Sequence, residues 1–185
     1  MLRYEPETGE YERFIHDHTK PESLSGPVVM SFFEDSKGNI WVGGGTPWYD
    51  PNYPLFRDRY NPQTKTFEHY IKETITVGAV SDITEDQNGN IWFIDLVDGL
   101  FKLNPETMEL RKFSQYNSLL PKESLHSLFA HSDGNIWLSS DNSIIELDPE
   151  SETISVYNEL HGVKPAWNFW NAGWLTEGWS ITFCP

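Results

Sequence analysis

Apolar residues along the chain fall in short runs rather than at helical spacing: VVMSFFE (28–34), NIWVGG (39–44), AVSDITE (79–85), NIWFID (90–95), LHSLFAH (125–131) and NIWLSS (135–140). Runs of this length, bounded by turn-forming residues, predict β-strands. They come in pairs joined by one recurring turn: Asp35…Gly38-Asn39-Ile40-Trp41, Asp86…Gly89-Asn90-Ile91-Trp92 and Asp133-Gly134-Asn135-Ile136-Trp137. Glycine after a polar run supplies the positive φ of a tight hairpin, and the aspartate carboxylate can accept the turn's amides. Ile and Trp are neighbours in the second strand and point to opposite faces, so both faces of the sheet carry apolar side chains. Such a sheet must stack against copies of itself.

A second pattern completes the unit: YEPETGEYERF (4–14), YNPQTKTFEHY (60–70), LNPETMELRKF (103–113) and LDPESETISVY (147–157). In each, a strand runs into an Asn/Asp/Glu-Pro turn and returns as an alternating strand ending in an aromatic residue. The recurring tryptophans Trp41, Trp92 and Trp137 are 51 and 45 residues apart, and the turn prolines Pro62, Pro105 and Pro149 are 43 and 44 apart. Four short strands at this period predict an all-β fold, a β-propeller of four-stranded blades, with about four blades in this chain. The expected blades are 27–72, 76–116 and 123–158. Residues 1–17 read as the outer hairpin, and 163–185 as the inner hairpin, of a closing blade. These ends are expected to pair within one molecule or between two copies as a homodimer, which would cover strand edges.

Composition agrees with this class and narrows the partners. At 185 residues the chain is one ordinary domain, and its 8 Trp, 8 Tyr and 11 Phe suit pleated, packed surfaces. Acidic residues number 28 against 13 basic, a formal net charge of -15, with no basic cluster to neutralise phosphates. Nucleic acid is therefore not expected as a partner. The lone Cys184 builds no disulfide framework. The opening MLRYEPETGEYERF lacks the apolar stretch of a signal peptide, and no long apolar run predicts a membrane segment. His16, His18, His69, His126, His131 and His161 lack metal-ligand spacing, so no metal and no cofactor is expected. No G-x-S-x-G elbow is present and no catalytic nucleophile is predicted.

The stretches VVMSFFEDSKGNIWVGG, AVSDITEDQNGNIWFID…DGLFKLNPET and LHSLFAHSDGNIWLSS…NSIIELDPES resemble two-component regulator propeller repeats, over nearly the whole chain. The resemblance implies the sensor portion of hybrid two-component histidine kinases, a periplasmic or extracellular location, and recognition of carbohydrate fragments. Those proteins carry more blades, a membrane helix, an immunoglobulin-like module and a kinase, none of which is read here. The chain is therefore expected to be a fragment or a small relative.

Ligands of a propeller are expected at the loops on one face of the scaffold. From Trp41 to Pro62 is 21 residues, against 13 from Trp92 to Pro105 and 12 from Trp137 to Pro149, so the first full blade carries an insertion of eight or nine. Its sequence, GGGTPWYDPNYPLF, offers Trp48, Tyr49, Asp50, Tyr53 and Phe56. Aromatic faces beside a carboxylate suit a sugar ring, whose C–H faces stack while its hydroxyls bond to Asp. The same aromatics also suit packing of the loop on its own blade. Trp170, in KPAWNFWNAGW, is a further ligand candidate beside Trp167, Phe169 and Trp174, which are expected to pack. The expected function is non-enzymatic binding or sensing of a small molecule, with an oligosaccharide as the expected ligand. The alternatives are a propeller lyase or hydrolase, with Asp50 and Asp95 as a conceivable carboxylate pair, and a protein-interaction platform.

Overall fold

The computed structural model describes residues 1–46, 54–70, 78–113, 120–121 and 123–163, together with the backbone of 173–176 and 180–183. The chain divides into two compact units, Met1–Ala79 and Val80–Pro185. In the first, β1 (Leu2–Glu5) and β2 (Glu10–Arg13) pair as a hairpin with Tyr4 opposite Tyr11. There β3 (Val29–Glu34), β4 (Ile40–Thr46), β5 (Phe56–Asn61) and β6 (Thr66–His69) form an antiparallel meander. A second meander, mainly in the second unit, comprises β7 (Gly78–Glu85), β8 (Ile91–Asp95), β9 (Gly99–Asn104) and β10 (Glu109–Phe113). A third follows in β11 (Leu125–Ala130), β12 (Ile136–Ser140), β13 (Ile144–Leu147) and β14 (Ile154–Tyr157). The backbone of β15 (Gly173–Thr176) and β16 (Ser180–Phe183) pairs as a final hairpin. These meanders are β-propeller blades. Among the described residues no helix is long and apolar enough to cross a membrane.

The repeated turn holds its shape by one buried carboxylate. Asp35 Oδ1 accepts the amides of Lys37 at 3.0 Å and Asn39 at 2.8 Å, and its Oδ2 accepts the Asn39 side chain at 2.9 Å and Trp41 Nε1 at 2.8 Å. Asp86 repeats the set with Asn88, Asn90 and Trp92. One anion thus satisfies the turn and the indole of the strand beyond it, which lets a donor-bearing Trp sit fully buried.

The third copy corrects the expected register. The holding acid stands three residues before the glycine, where the third repeat has His131, so Asp133 is not its equivalent. The backbone frame persists, with His131 N donating to Asn135 O at 2.8 Å and Gly134 N to His131 O at 3.0 Å. Asp133 accepts the Asn135 amide at 2.9 Å, and the buried Nε1 of Trp137 has no partner.

The outer hairpins share a second device. Asn61, Asn104 and Asp148 each use Oδ1 to accept amides two and three residues on, at 2.8–3.3 Å. The fourth residue after each, namely Lys65, Met108 and Glu152, sits at φ of 58–60°. In β1–β2 that place is taken by Gly9, at φ 72°. The turn demands a left-handed residue, and three of the four copies place a side chain there against its preference.

Stacking follows from the two apolar faces. In the second unit Trp92, Ile94, Leu100 and Phe113 of one blade share a core with Leu125, Leu128, Ile136, Leu138, Ile145 and Leu147 of the next. Phe93 and Phe101, alternating with them, stack at 5.3 Å on the other face. In the first unit Phe14 meets Tyr60 and Phe67 edge-on at 4.9 and 5.6 Å, in a core with Leu24, Val42 and Phe56. The segment after β2 therefore belongs to the packing of its own unit.

Candidate functional site

The loop between the second and third strands of a blade holds three residues in the second and third blades, and nine, 47–55, in the first. Six of the eight extra residues relative to the second blade thus lie in the loop. The other two lengthen β4, whose last residues Gly45 and Thr46 pair with Ala79 and Gly78. The residues that precede the insertion are thus paired into the sheet.

The base of the insertion is built by glycines around one ring. A Cβ on Gly44 would lie 2.0 Å from Val28 O and 2.4 Å from the Phe56 ring, and one on Gly26 would lie 2.7 Å from the same ring. Gly45, at φ 123°, donates its N–H to Val28 O at 3.0 Å. Leu55 and Phe56 are 3% and 1% exposed. Phe56, expected as a ligand contact, instead gives its ring to the core, because the glycines on both sides leave space that only the ring fills. Trp48, Tyr49, Asp50, Tyr53 and Trp170 lie outside the described residues.

In the second unit the corresponding loops are short and internally bonded. Asp95 Oδ1 accepts the amides of Val97 and Asp98 at 2.9 and 3.1 Å, so this carboxylate shapes its own loop. Glu123 Oε2 accepts from Ser140 Oγ at 2.5 Å, Ser143 Oγ at 2.9 Å and Asn142 N at 3.3 Å. Asp141 holds the Ser124 amide at 3.1 Å and His126 Nε2 at 2.7 Å. Burial works against the Asp141 anion, but the His126 and Ser124 bonds outweigh it and keep its carboxyl below the ordinary range.

The first strand of each blade bulges at one place, which singles out Met30, Ser81 and His126. Bulges re-aim side chains and recur beside functional sites. Ser81 Oγ and His126 Nδ1 are both buried without a hydrogen-bond partner. With Nε2 2.7 Å from the Asp141 carboxylate, the tautomer that donates from Nε2 leaves Nδ1 as an acceptor. Next to the second bulge, Asp82 accepts the amides of Leu128 at 2.8 Å and Ile83 at 3.0 Å. Burial nonetheless pushes its carboxyl up to about 7.

In the sequence His126 is one of six histidines without metal-ligand spacing, and nothing there singles out Asp82, Glu123 or Asp141. Their roles come from loop geometry, for which no spacing rule exists. Among the described residues, no three His, Cys, Asp or Glu side chains gather closely enough to hold a metal ion.

Comparison with known proteins follows the same lines. The sequence profile described as two component regulator propeller matches residues 23–46, the run through β3 and β4. Histidine kinase P4 of Formosa agariphila is 27% identical over 165 residues, which cover 88% of this chain and 12% of that protein. The extracellular domain of a protein termed a one component system, from B. thetaiotaomicron, superposes with a TM-score of 0.70 at 18% identity, over 96% of this chain and 23% of the other. A second extracellular domain from that organism, of a protein termed a hybrid two component system, gives 0.67 at 18% identity, over 85% and 20%. Virginiamycin B lyase from Staphylococcus aureus gives 0.59 at 19% identity, over 82% and 46%. At these identities the structural likeness is one of fold, and the chain spans about an eighth of the kinase. The matched profile thus covers one hairpin of this chain, residues 23–46, and a hairpin of the same sequence pattern returns at β7–β8 and β11–β12.

Proposed function

We propose that the chain is part of a non-enzymatic, ligand-sensing β-propeller, located in the periplasm or outside the cell, whose ligand is a carbohydrate. The observation that carries this reading is the nine-residue insertion, set on a glycine-lined base where the other blades have three residues. Its Trp48, Tyr49 and Tyr53 supply stacking surfaces and Asp50 a hydroxyl acceptor, and Phe56 is buried in the base from which the insertion departs. The likeness to extracellular domains of two-component systems supports the location and the sensing role.

Calorimetric titration of the chain with a panel of neutral oligosaccharides tests this. At least one member is expected to bind, and Trp48→Ala to weaken it about tenfold or more with unchanged thermal stability. Binding by no oligosaccharide overturns the ligand class, and equal affinity in the variant overturns the site.

A second reading, a propeller lyase or hydrolase, draws on His126, whose Nε2 is fixed by Asp141 while Nδ1 stays an acceptor, the arrangement of a general base. Turnover of a bound oligosaccharide that disappears in His126→Ala would favour it. Binding without turnover favours the sensor.

A further inference from the structure

In the first unit, Ser25, Asp58 and His69 form a closed triangle. Asp58 on β5 lies opposite His69 on β6 in the strand register and is 0% exposed. Asp58 Oδ1 is 2.8 Å from His69 Nδ1 and 2.7 Å from Ser25 Oγ, and Ser25 Oγ is 2.7 Å from the same Nδ1. The other carboxylate oxygen accepts the Ser25 amide at 2.8 Å, and His69 Nε2 lies 2.5 Å from Pro21 O.

The hydrogens available to this triangle can be counted. Pro21 O only accepts, so Nε2 carries a proton. If Ser25 then contributed the one hydrogen on the triangle, a single edge would be bonded, and the Nδ1 lone pair would face the Asp58 anion at 2.8 Å. That contact is repulsive, and the Asp58 carboxylate, fully buried while the His69 ring is partly exposed, has no water on its own side to relieve it. An additional proton on Nδ1 or on Oδ1 lets Asp58 bond to both partners. The geometry therefore calls for one more proton than a neutral imidazole and an ionised carboxylate supply.

We propose that Ser25, Asp58 and His69 are a proton-operated latch that pins the segment 17–25 across β5 and β6, and that loss of the shared proton at alkaline pH releases it. The segment is otherwise held by Phe67 N on Glu22 O at 2.9 Å and by Leu24, 1% exposed in the core. Other charges on the packed elements are engaged elsewhere: Lys20 with Asp17, and Arg59 with Glu68. His18, Arg57, Asp17, Glu22 and Glu68 are the other titratable or charged groups on these elements, and among the described residues the charge acting on His69 is that of Asp58, and on Asp58 that of His69.

The titrations agree in sign. Burial raises the Asp58 carboxyl, against the Ser25 and His69 bonds. Burial also disfavours the His69 imidazolium, but the Asp58 and Pro21 contacts outweigh it and raise His69 above its ordinary 6.5. A raised folded-state value means that the latch contributes fully below 6.5 and is lost as pH rises through the raised value.

Amide exchange in the full chain tests the latch at about pH 6 and about pH 9, corrected for base catalysis. Protection of the Ser25 and Phe67 amides is expected to fall about tenfold or more across that range, while Phe93 in the second unit holds its protection. In His69→Gln the fall should vanish. Protection independent of pH in the parent chain, or a fall retained in His69→Gln, overturns the proposal. Should that variant not fold, nitrogen shifts of the parent's His69 decide. Imidazolium, or a protonated Asp58, at pH 7 supports the latch, and an Nε2–H imidazole beside an ionised Asp58 overturns it.

Discussion

Trp92 Nε1 donates to Asp86 Oδ2 at 2.8 Å, with both side chains buried, whereas Trp137 at the same place in the next blade faces no such acceptor. The difference is one residue, Asp86 against His131. Asp86→Ala strands the Asn88 and Asn90 amides and the indole together, and a cost of about 2–4 kcal/mol is expected in chemical denaturation.

The converse substitution repairs the third blade. His131→Asp supplies the acid that Trp137 Nε1 lacks, and the folded state should gain about 1 kcal/mol, read as a higher denaturation midpoint with unchanged slope. A loss of stability would show that the third turn depends on Glu146, which already accepts the Asn135 side chain at 2.7 Å.

Met108 sits at φ 60° in an exposed turn where β1–β2 uses Gly9. Relief of the left-handed strain and the extra freedom of an unfolded glycine oppose each other. Met108→Gly is therefore expected to range from neutral to a gain of about 1 kcal/mol, a small positive shift in Tm.

Gly44→Ala tests the base of the insertion. Its Cβ would meet Val28 O at 2.0 Å and the Phe56 ring at 2.4 Å, and the backbone contact has no flexible end to yield. A loss of about 2 kcal/mol or more is expected, with the Phe56 amide exchanging faster. An unchanged melting curve would mean that the base is plastic and the insertion not rigidly presented.

Asp82 makes the second unit sensitive to pH. Its folded-state value of about 7 stands above the ordinary 3.8, so the native state retains a proton that the unfolded chain has lost. Stability from this group is full below 3.8 and falls as pH rises to about 7. Asp82→Asn, which keeps an acceptor for the Leu128 amide, should flatten that slope and raise stability at pH 8 by about 1–3 kcal/mol. A slope preserved in the variant would assign it to another group.

The sequence by itself determined the blade. Alternation and the paired apolar faces of Ile91 and Trp92 require a stacked sheet, and the Gly-Asn-Ile-Trp turn fixes where each hairpin folds, because these are local demands of pleat and dihedral. It also marked the insertion after Thr46 as the break in the repeat. What it could not determine was which side chains meet across loops. Phe56 reads as one more aromatic of the insertion, yet its ring is enclosed by Gly26 and Gly44, some thirty and twelve residues away in sequence. The acid of the repeated turn is legible at Asp35 and Asp86, but at the third copy an aspartate two residues late imitates it. Only the positions of the turn amides show that His131 stands in its place. Asp82, Asp58 and His69 carry no motif at all. Their shifted proton affinities arise from burial and from partners that the strand register brings within about 3 Å, and those exist only once the chain has folded.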